Sequence, residues 1–187
     1  MNYYTNKKGI SLVETLMAVG IFAIFATTFF IEMLSFDKFE GIAFYKTTAT
    51  KIVVSEMEIL NSTSFNQLLN IANNYGGKFA LKIQNGVISA ADSNSQYIIN
   101  NLITAQNKMQ VPPNITGTIY VYIDKVPNSY DYLLDIYVSM SFKVPNKQII
   151  IGEDKNLNGI LELAEDVNGN GKSDSPISLS TSIRNPL

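Results

Sequence analysis

The sequence predicts an α+β fold, with one long N-terminal helix packed on an antiparallel β-sheet. Three observations support this prediction. No proline precedes Pro112, an apolar block fills residues 10–34, and apolar and polar residues alternate after Gly76. Proline-free runs suit helices, whereas alternation with a period of two is typical of half-buried strands. The 187 residues are enough for one domain with a core and an attached segment.

The apolar block of residues 10–34 is long enough to cross a bilayer as a helix, which takes about 20 residues. Lys7 and Lys8 precede it, which predicts a cytoplasmic N-terminus and a head on the far side of the membrane. Glu14 lies inside the block, where a carboxylate costs roughly 2.5–3.5 kcal/mol near the helix centre and less near an end. A removable secretory signal fits poorly, because the run is long and lacks a small-x-small cleavage site. A plain single-span anchor leaves Glu14 unexplained.

The stretch from Gly9 to Glu14, GISLVE, resembles the class III signal of type IV pilins and type II secretion pseudopilins. The resemblance implies that prepilin peptidase removes residues 1–9 as a leader by cutting between Gly9 and Ile10, and that the new N-terminus is methylated. It also implies that Glu14, the fifth mature residue, pairs with the terminal amine of a neighbouring subunit during assembly. Ile10 stands where phenylalanine is common. Ile31 stands where many major pilins have a kinking proline, which favours a minor pilin or a pseudopilin.

Residues 35–62 are expected to continue the same helix as an amphipathic segment. Spacings of three and four residues predict one stripe that packs on the sheet. This stripe comprises Phe36, Phe39, Ala43, Lys46, Thr50, Val53, Met57 and Leu60. Glu56 and most other charged residues of the segment fall off the predicted stripe, and residues 61–67 are predicted to form the helix end and a loop.

Residues 63–187 are predicted to form a periplasmic β-sheet head. Asn85–Gly86 is a good type I′ turn, which predicts a hairpin over residues 78–90. Further strands are predicted over 117–126, 130–144, 146–151 and 175–183, and a short helix over 96–106. Long helix followed by antiparallel strands is the order of the pilin fold. The aromatic residues of the strands are interpreted as one face of a half-buried sheet rather than a binding surface. They include Tyr120, Tyr122, Tyr132, Tyr137 and Phe142.

Residues 153–174 contain an internal repeat of two acidic loops, which resemble the calcium loops of EF-hands, dockerins and thrombospondin type 3 repeats. Such a loop places oxygen ligands at positions one, three and five, a glycine at six, a carbonyl at seven and acids at nine and twelve. The first copy offers Asp154, Asn156, Asn158, the carbonyl of Ile160, Glu162 and Glu165. The second offers Asp166, Asn168, Asn170, the carbonyl of Lys172 and Asp174. Its position twelve is Ile177, so it either borrows a carboxylate from the first copy or binds weakly.

Charge and composition support one or two calcium ions as the cofactor. Residues 153–174 hold six acids and two lysines, a net charge of −4, whereas the rest of the chain carries a net charge of +2. All-oxygen ligands favour calcium over zinc or copper. The alternative is a pair of solvated Asn/Asp/Gly turns without an ion. Many pilins staple this C-terminal region with a disulfide; this chain has no cysteine, so the metal is expected to hold the last strand on the sheet instead.

Composition also limits the function. The absence of histidine and cysteine removes the commonest acid–base and nucleophile pairs, so no enzymatic activity is expected and a cell-surface hydrolase is disfavoured. With a net charge of −2 and no basic stripe, nucleic acid is a poor partner. The predicted function is a structural subunit of a type IV pilus-like or type II secretion pseudopilus filament, with prepilin peptidase, other subunits and the inner membrane as partners. Pilus, type II secretion and DNA uptake machines are all compatible. The alternative function is a membrane-anchored, calcium-dependent adhesin or binding module that does not polymerise.

Overall fold

The described part of the chain forms three helices and six strands. The structure, a computed structural model, describes residues 11–101, 111–129, 133–145 and 147–185, apart from the side chains of residues 37 and 38. The helices are α1 (Leu12–Ser62), α2 (Phe65–Asn74) and α3 (Ser93–Asn101). The strands are β1 (Lys78–Gln84), β2 (Val87–Ala90), β3 (Thr116–Lys125), β4 (Leu133–Lys143), β5 (Ile150–Ile151) and β6 (Ser178–Arg184). The predicted α+β class is confirmed.

Helix α1 belongs to two compact units, which divide between Ile42 and Ala43. Its most apolar stretch, in the first unit, is long and apolar enough to cross a membrane, and none of that stretch is buried. Large apolar side chains there are more than half exposed, among them Phe22 at 74 % and Phe25 at 71 %. An exposed apolar surface of this extent is typical of segments that contact a membrane or another protein.

The buried face of α1 in the second unit differs from the predicted stripe. Val53, Met57 and Leu60 are buried as predicted, but Lys46 and Thr50 are exposed. The prediction for these two was therefore wrong, as it was for Ala43, which is also exposed. Phe36 and Phe39 belong to the first unit and are exposed there. The observed face instead adds Ala49, Ile52, Glu56 and Ile59 to the three confirmed residues. The predicted and the observed buried faces share only the last turns of the helix. Ala49, which is small, and Ile52, which is β-branched, occupy the buried positions that the prediction gave to Lys46 and Thr50.

The sheet is antiparallel throughout, in the order β2-β1-β3-β4, and both β5 and β6 pair with β4. The hairpin over residues 78–90 is confirmed. Gln84 pairs with Val87, and Asn85 and Gly86 have φ of 52° and 76°, as a type I′ turn requires. The predicted strands over 117–126, 130–144 and 175–183 are also found, as β3, β4 and β6. Residues 130–132 of the second of these predictions, with Tyr132, lie outside the described residues.

Two predicted elements have bounds that differ from the prediction, and one helix was missed. The strand over 146–151 contains only Ile150–Ile151, because Val144 and Ile149 close a turn in which the Val144 N–H donates to the Ile149 carbonyl (2.9 Å). The helix over 96–106 begins earlier, at Ser93, where Asp92 caps it by accepting the Ser95 N–H (2.7 Å). Residues 102–106 of that prediction lie outside the described residues. Helix α2 was not predicted: its first three residues lie in the predicted loop over 61–67, and the rest lies where no element was predicted. Its first turn is closed by Gln67, which accepts the Ser64 N–H (3.3 Å).

The two faces of the sheet have different chemistry. One face presents apolar side chains, such as Ile119 and Val121 of β3 beside Met140 and Val138 of β4, and all four are fully buried. The opposite face presents hydroxyl groups. It carries Thr118, Tyr120 and Tyr122 of β3, paired in register with Ser141, Ser139 and Tyr137 of β4. We call these six residues the hydroxyl face; it positions the candidate site.

Candidate metal centre

Residues 152–177 leave the sheet after β5 and return to it as β6. Both strands pair with the same neighbour, β5 at Phe142 and Lys143 and β6 from Leu133 to Ser139. Residues 152–177, which contain the acidic repeat, therefore start and end at one edge of the sheet. We call these residues the excursion. This agrees with the expectation that the repeat lies between two strands.

The excursion is fixed to the hydroxyl face by side-chain hydrogen bonds. The Ser173 N–H donates to Tyr122 Oη (2.8 Å), and Tyr137 Oη donates to Asp174 Oδ1 (3.0 Å). Ser139 Oγ donates to the Ser173 carbonyl. At the edge, the Met140 N–H donates to the Ile177 carbonyl (3.0 Å). A buried polar face needs partners for its hydroxyls, and the backbone and the acidic side chains of the repeat supply them.

Asp154, position one of the first loop, is the most buried acid of the repeat. It is fully buried, and its Oδ2 accepts three hydrogen bonds: from Thr118 Oγ1 (2.7 Å), Tyr120 Oη (2.9 Å) and the Gly159 N–H (3.1 Å). Its Oδ1 is buried and has no hydrogen-bond partner among the described residues. A buried carboxylate oxygen without a donor is costly, unless a cation compensates it. The three donors hold Oδ2 and leave Oδ1 available to a metal ion.

The remainder of the first loop has its ligand-bearing side chains turned inward around a tight turn. Asn156 Oδ1 accepts the Asn158 N–H (2.9 Å), and Asn158 Oδ1 accepts the Ile160 N–H (2.6 Å). Both side-chain amides donate to Glu162 Oε1 at 3.2 Å. Asn156, Asn158 and Glu162, at positions three, five and nine, are thereby gathered around one centre.

The second loop repeats this network at the equivalent loop positions. Asp166 Oδ2 accepts the Gly171 N–H (2.9 Å), Asn168 Oδ1 accepts the Asn170 N–H (3.0 Å), and Asn170 Oδ1 accepts the Lys172 N–H (2.7 Å). The amides of Asn168 and Asn170 donate to Asp174 Oδ2. The sixth residue of each loop has a positive φ, 81° at Gly159 and 72° at Gly171. The sequence repeat is thus a repeat of structure.

The two loops differ in their surroundings. Asp154 lies under the first loop against the sheet, whereas Asp166 is half-buried. The lysine of the second loop extends over the hydroxyl face: Lys172 Nζ lies 5.7 Å from the centre of the Tyr122 ring and 2.6 Å from Asp124 Oδ2. The ammonium group of Lys172 thus interacts with Tyr122 and Asp124, outside the loop, and only the backbone carbonyl of Lys172 is a candidate ligand in the loop.

The tyrosines of the hydroxyl face stay neutral around the acids. Burial, and then the negative charge of Asp154, raises the pKa of Tyr120 far above its ordinary value. Burial raises the pKa of Tyr122 to about 12, against the opposing effect of the Ser173 N–H. Burial also raises the pKa of Tyr137. Tyr120 therefore remains a hydrogen-bond donor to Asp154 at every physiological pH.

Glu14 has a local partner in the first turn of α1. The Ser11 N–H donates to Glu14 Oε2 (2.9 Å), and the Glu14 N–H donates to Ser11 Oγ (3.2 Å), which together form a capping box. Both side chains are exposed. The capping box gives this carboxylate a role in starting the helix besides any role in assembly. Gly9 and Ile10, the predicted cleavage pair, lie outside the described residues.

Several residues of the site were not predicted. Thr118 and Tyr120 bind Asp154, and Glu153 contacts the second loop: its Oε2 accepts the Asp174 N–H (2.8 Å). The sequence did carry a signal for Glu153, because the internal repeat aligns it with Glu165. No comparable signal marks Thr118 or Tyr120, which look like ordinary strand residues.

The fit to a metal rests on mixed oxygen ligands. Within the part of the chain that the structure describes, no three carboxylates are grouped closely enough to hold an ion by themselves. Coordination here would depend on asparagine and backbone oxygens together with the acids, which is the ligand set that calcium takes. Comparisons with protein-family models, with curated proteins and with solved structures give no match for this chain.

Proposed function

We propose that this protein is a structural subunit of a type IV pilus-like or type II secretion pseudopilus filament, a minor pilin or a pseudopilin with a calcium-stabilised head. The single observation that carries the proposal is the N-terminal part of α1. It is an exposed apolar helix with a capping carboxylate, Glu14, in its first turn, and it follows the short basic segment of residues 1–9.

The apolar surface of this helix suits the two environments that the subunit would occupy in turn, the membrane and the filament. In the inner membrane it spans the lipid once, with the N-terminus in the cytoplasm and the head in the periplasm. In a filament the same surface packs against the helices of neighbouring subunits, where apolar contact replaces lipid. Neither environment requires this chain to be an enzyme. The chain is instead the substrate of one, because prepilin peptidase would cut the Gly9–Ile10 bond.

Glu14 supports assembly rather than simple anchoring. A carboxylate at the edge of an apolar span is costly in lipid, and one opposite charge offsets that cost. Cleavage after Gly9 would create an ammonium group at Ile10. Glu14 of one subunit would then pair with the ammonium of the next, while its capping bond to Ser11 keeps the carboxylate at the helix start.

The experiment compares two glutamates of the same apolar helix. The full chain is co-expressed with prepilin peptidase and the partner subunits of a filament system, and the mature N-terminus is sequenced. We expect it to begin at Ile10 with an N-methyl group. Glu14→Gln should enter the membrane normally and fail to enter filaments, because the subunit-to-subunit charge pair is lost.

Glu32→Gln is the matched control, since Glu32 is also exposed on α1 and lies several turns further along the helix. We expect this variant to enter filaments as the unaltered chain does. A mature protein that still begins at Met1, or one that has lost the whole apolar segment, would remove the proposal. Equal incorporation of both variants would remove the role of Glu14.

One observation favours the adhesin-like alternative. A cleft of about 480 Å³ lies between the first loop and the sheet, lined by Tyr75, Lys78, Asp92, Tyr122 and Glu162 among others. Aromatic rings with nearby polar groups suit a small polar ligand such as a sugar. A non-polymerising binding module would keep its ligand affinity in Glu14→Gln and would show no filament at all with unaltered Glu14.

A further inference from the structure

We propose that each loop is closed by the glutamate that directly precedes the other loop. Glu165, which is also position twelve of the first loop, closes the first loop, and Glu153 closes the second in place of Ile177; we call this arrangement the exchange. The loops would then bind two calcium ions as one coupled unit. This inference rests on the proposed calcium role of the head and assigns a ligand, Glu153, that the loop spacing alone leaves out.

The second loop has no carboxylate at its own position twelve. Ile177 occupies it, is buried with 8 % exposure, and uses its carbonyl to accept the Met140 N–H at the sheet edge. An apolar side chain fixed in this way supplies no ligand. A complete coordination sphere for this loop therefore needs a carboxylate from elsewhere.

Glu165 shows what a closing carboxylate contacts. Its Oε1 accepts the N–H of Lys155, position two, at 2.8 Å, and its Oε2 accepts the N–H of Glu162, position nine, at 3.4 Å. The Glu165 N–H donates to the Glu162 carbonyl at 2.9 Å. Glu165 is buried, with 8 % exposure. These three contacts hold its carboxylate between positions two and nine of the first loop.

Glu153 makes the same three contacts in the second loop. Its Oε1 accepts the N–H of Val167, position two, at 3.3 Å, and its Oε2 accepts the N–H of Asp174, position nine, at 2.8 Å. The Glu153 N–H donates to the Asp174 carbonyl at 3.0 Å. Each partner holds the same loop position as its counterpart in the first loop. Glu162 is close to Glu165 in sequence, whereas Asp174 is far from Glu153, so chain connectivity does not explain the match.

A second, independent observation points to a ligand. Asp154 Oδ1 is buried and has no hydrogen-bond partner among the described residues, although three donors hold Oδ2 of the same carboxylate. Two divalent ions would also bring the net charge of residues 153–174 from −4 to zero, whereas one ion would leave half of it uncompensated.

The exchange couples the two ions through adjacent residues. Glu153 closes the second loop and is followed directly by Asp154, the first ligand of the first loop. Glu165 closes the first loop and is followed by Asp166, the first ligand of the second. An ion in either loop therefore positions a backbone segment that carries a ligand of the other. Coupling between sites is reciprocal, so each ion should raise the affinity for the other.

The test is a calorimetric titration of the full chain in detergent micelles with calcium chloride as the only ligand. We expect two ions per unaltered chain. Glu153→Gln should bind one ion, and the affinity of the remaining site should fall about tenfold or more, as expected when a supporting carboxylate is lost. Asp135→Asn is the control, because Asp135 is exposed on β4 and bonds Ser182 rather than either loop; it should bind like the unaltered chain.

A double-mutant cycle separates a ligand from a merely structural residue. Asp166→Asn removes the first ligand of the second loop, so adding Glu153→Gln to it should change calcium binding little further. Two ions bound at unchanged affinity by Glu153→Gln, or full additivity in the cycle, would overturn the exchange while leaving calcium binding intact. No calcium bound by the unaltered chain would instead remove the calcium role on which the inference rests.

Discussion

Asp154→Asn tests the calcium role of the head at its most buried residue. The substitution keeps the shape of the side chain and an oxygen that can accept from Thr118, Tyr120 and Gly159, and it removes the negative charge. With that oxygen in the place of Oδ2, the amide NH2 takes the place of Oδ1, and an NH2 group donates hydrogen bonds but does not bind calcium. Metal binding and metal-free stability should therefore respond differently.

The magnitude follows from two opposing terms. Hydrogen bonds to a charged acceptor each contribute roughly 1.5–3 kcal/mol, whereas a buried charge without a counterion costs several kcal/mol. Because these terms oppose each other, we expect the free energy of unfolding without calcium to change by only about 1 kcal/mol. Calcium at 100 to 1,000 times its Kd should stabilise the unaltered chain by about 2.7–4.1 kcal/mol for each occupied site. That corresponds to a rise in Tm of roughly 5–15 °C for a chain of this size.

The assay is thermal unfolding of the full chain in detergent, followed by near-ultraviolet circular dichroism. The chain has no tryptophan and ten tyrosines, and three of these lie on the hydroxyl face, so the signal reports on the head. The unaltered chain should gain Tm with calcium and lose that gain with EDTA. Asp154→Asn should show a clearly smaller change in both directions, because only the second loop keeps all its ligands, and Asp135→Asn should behave like the unaltered chain. A calcium-dependent rise in Asp154→Asn equal to that of the unaltered chain would refute the reasoning.

Two further predictions concern the way the excursion is seated on the sheet. Gly152→Ala should destabilise the head by roughly 2–6 kcal/mol in chemical denaturation, because Gly152 has φ +108° and an added Cβ would lie 2.2 Å from Ser141 Oγ. The control, Gly169→Ala, has φ +69° and open space around it, so it should cost only about 1–2 kcal/mol. Equal losses of stability in the two variants would contradict the predicted clash. The pKa of Tyr122 is about 12 in the folded chain and 10.0 in the unfolded chain, so its stabilising contribution is complete below pH 10 and is lost as pH rises to 12. In Tyr122→Phe the free energy of unfolding should therefore fall less steeply with pH over that range. An unchanged slope of the free energy of unfolding against pH would show that other groups control alkaline unfolding.

Much of the fold was predictable because it depends on local periodicity. The hairpin at Asn85–Gly86 follows from two residues that accept positive φ, and the long strands follow from alternation. Helix α2 was missed although Ser64 and Gln67 stand at the spacing of a capping box, a signal overlooked beside the surrounding polar residues. The face of α1 was misjudged because a stripe with two weak members, Lys46 and Thr50, competes with one that includes Ala49 and Ile52.

The sequence by itself determined the apolar span, the carboxylate near its start, the alternating strands and the oxygen spacing of two calcium-type loops, since each is encoded within a few consecutive residues. Only the tertiary structure decided where the loops dock and what completes them. Thr118 and Tyr120 reach Asp154 from a distant part of the chain, and Glu153 reaches Asp174 across the whole of the first loop. Contacts at such separations depend on the pairing of β5 and β6 with one strand, which no local pattern encodes.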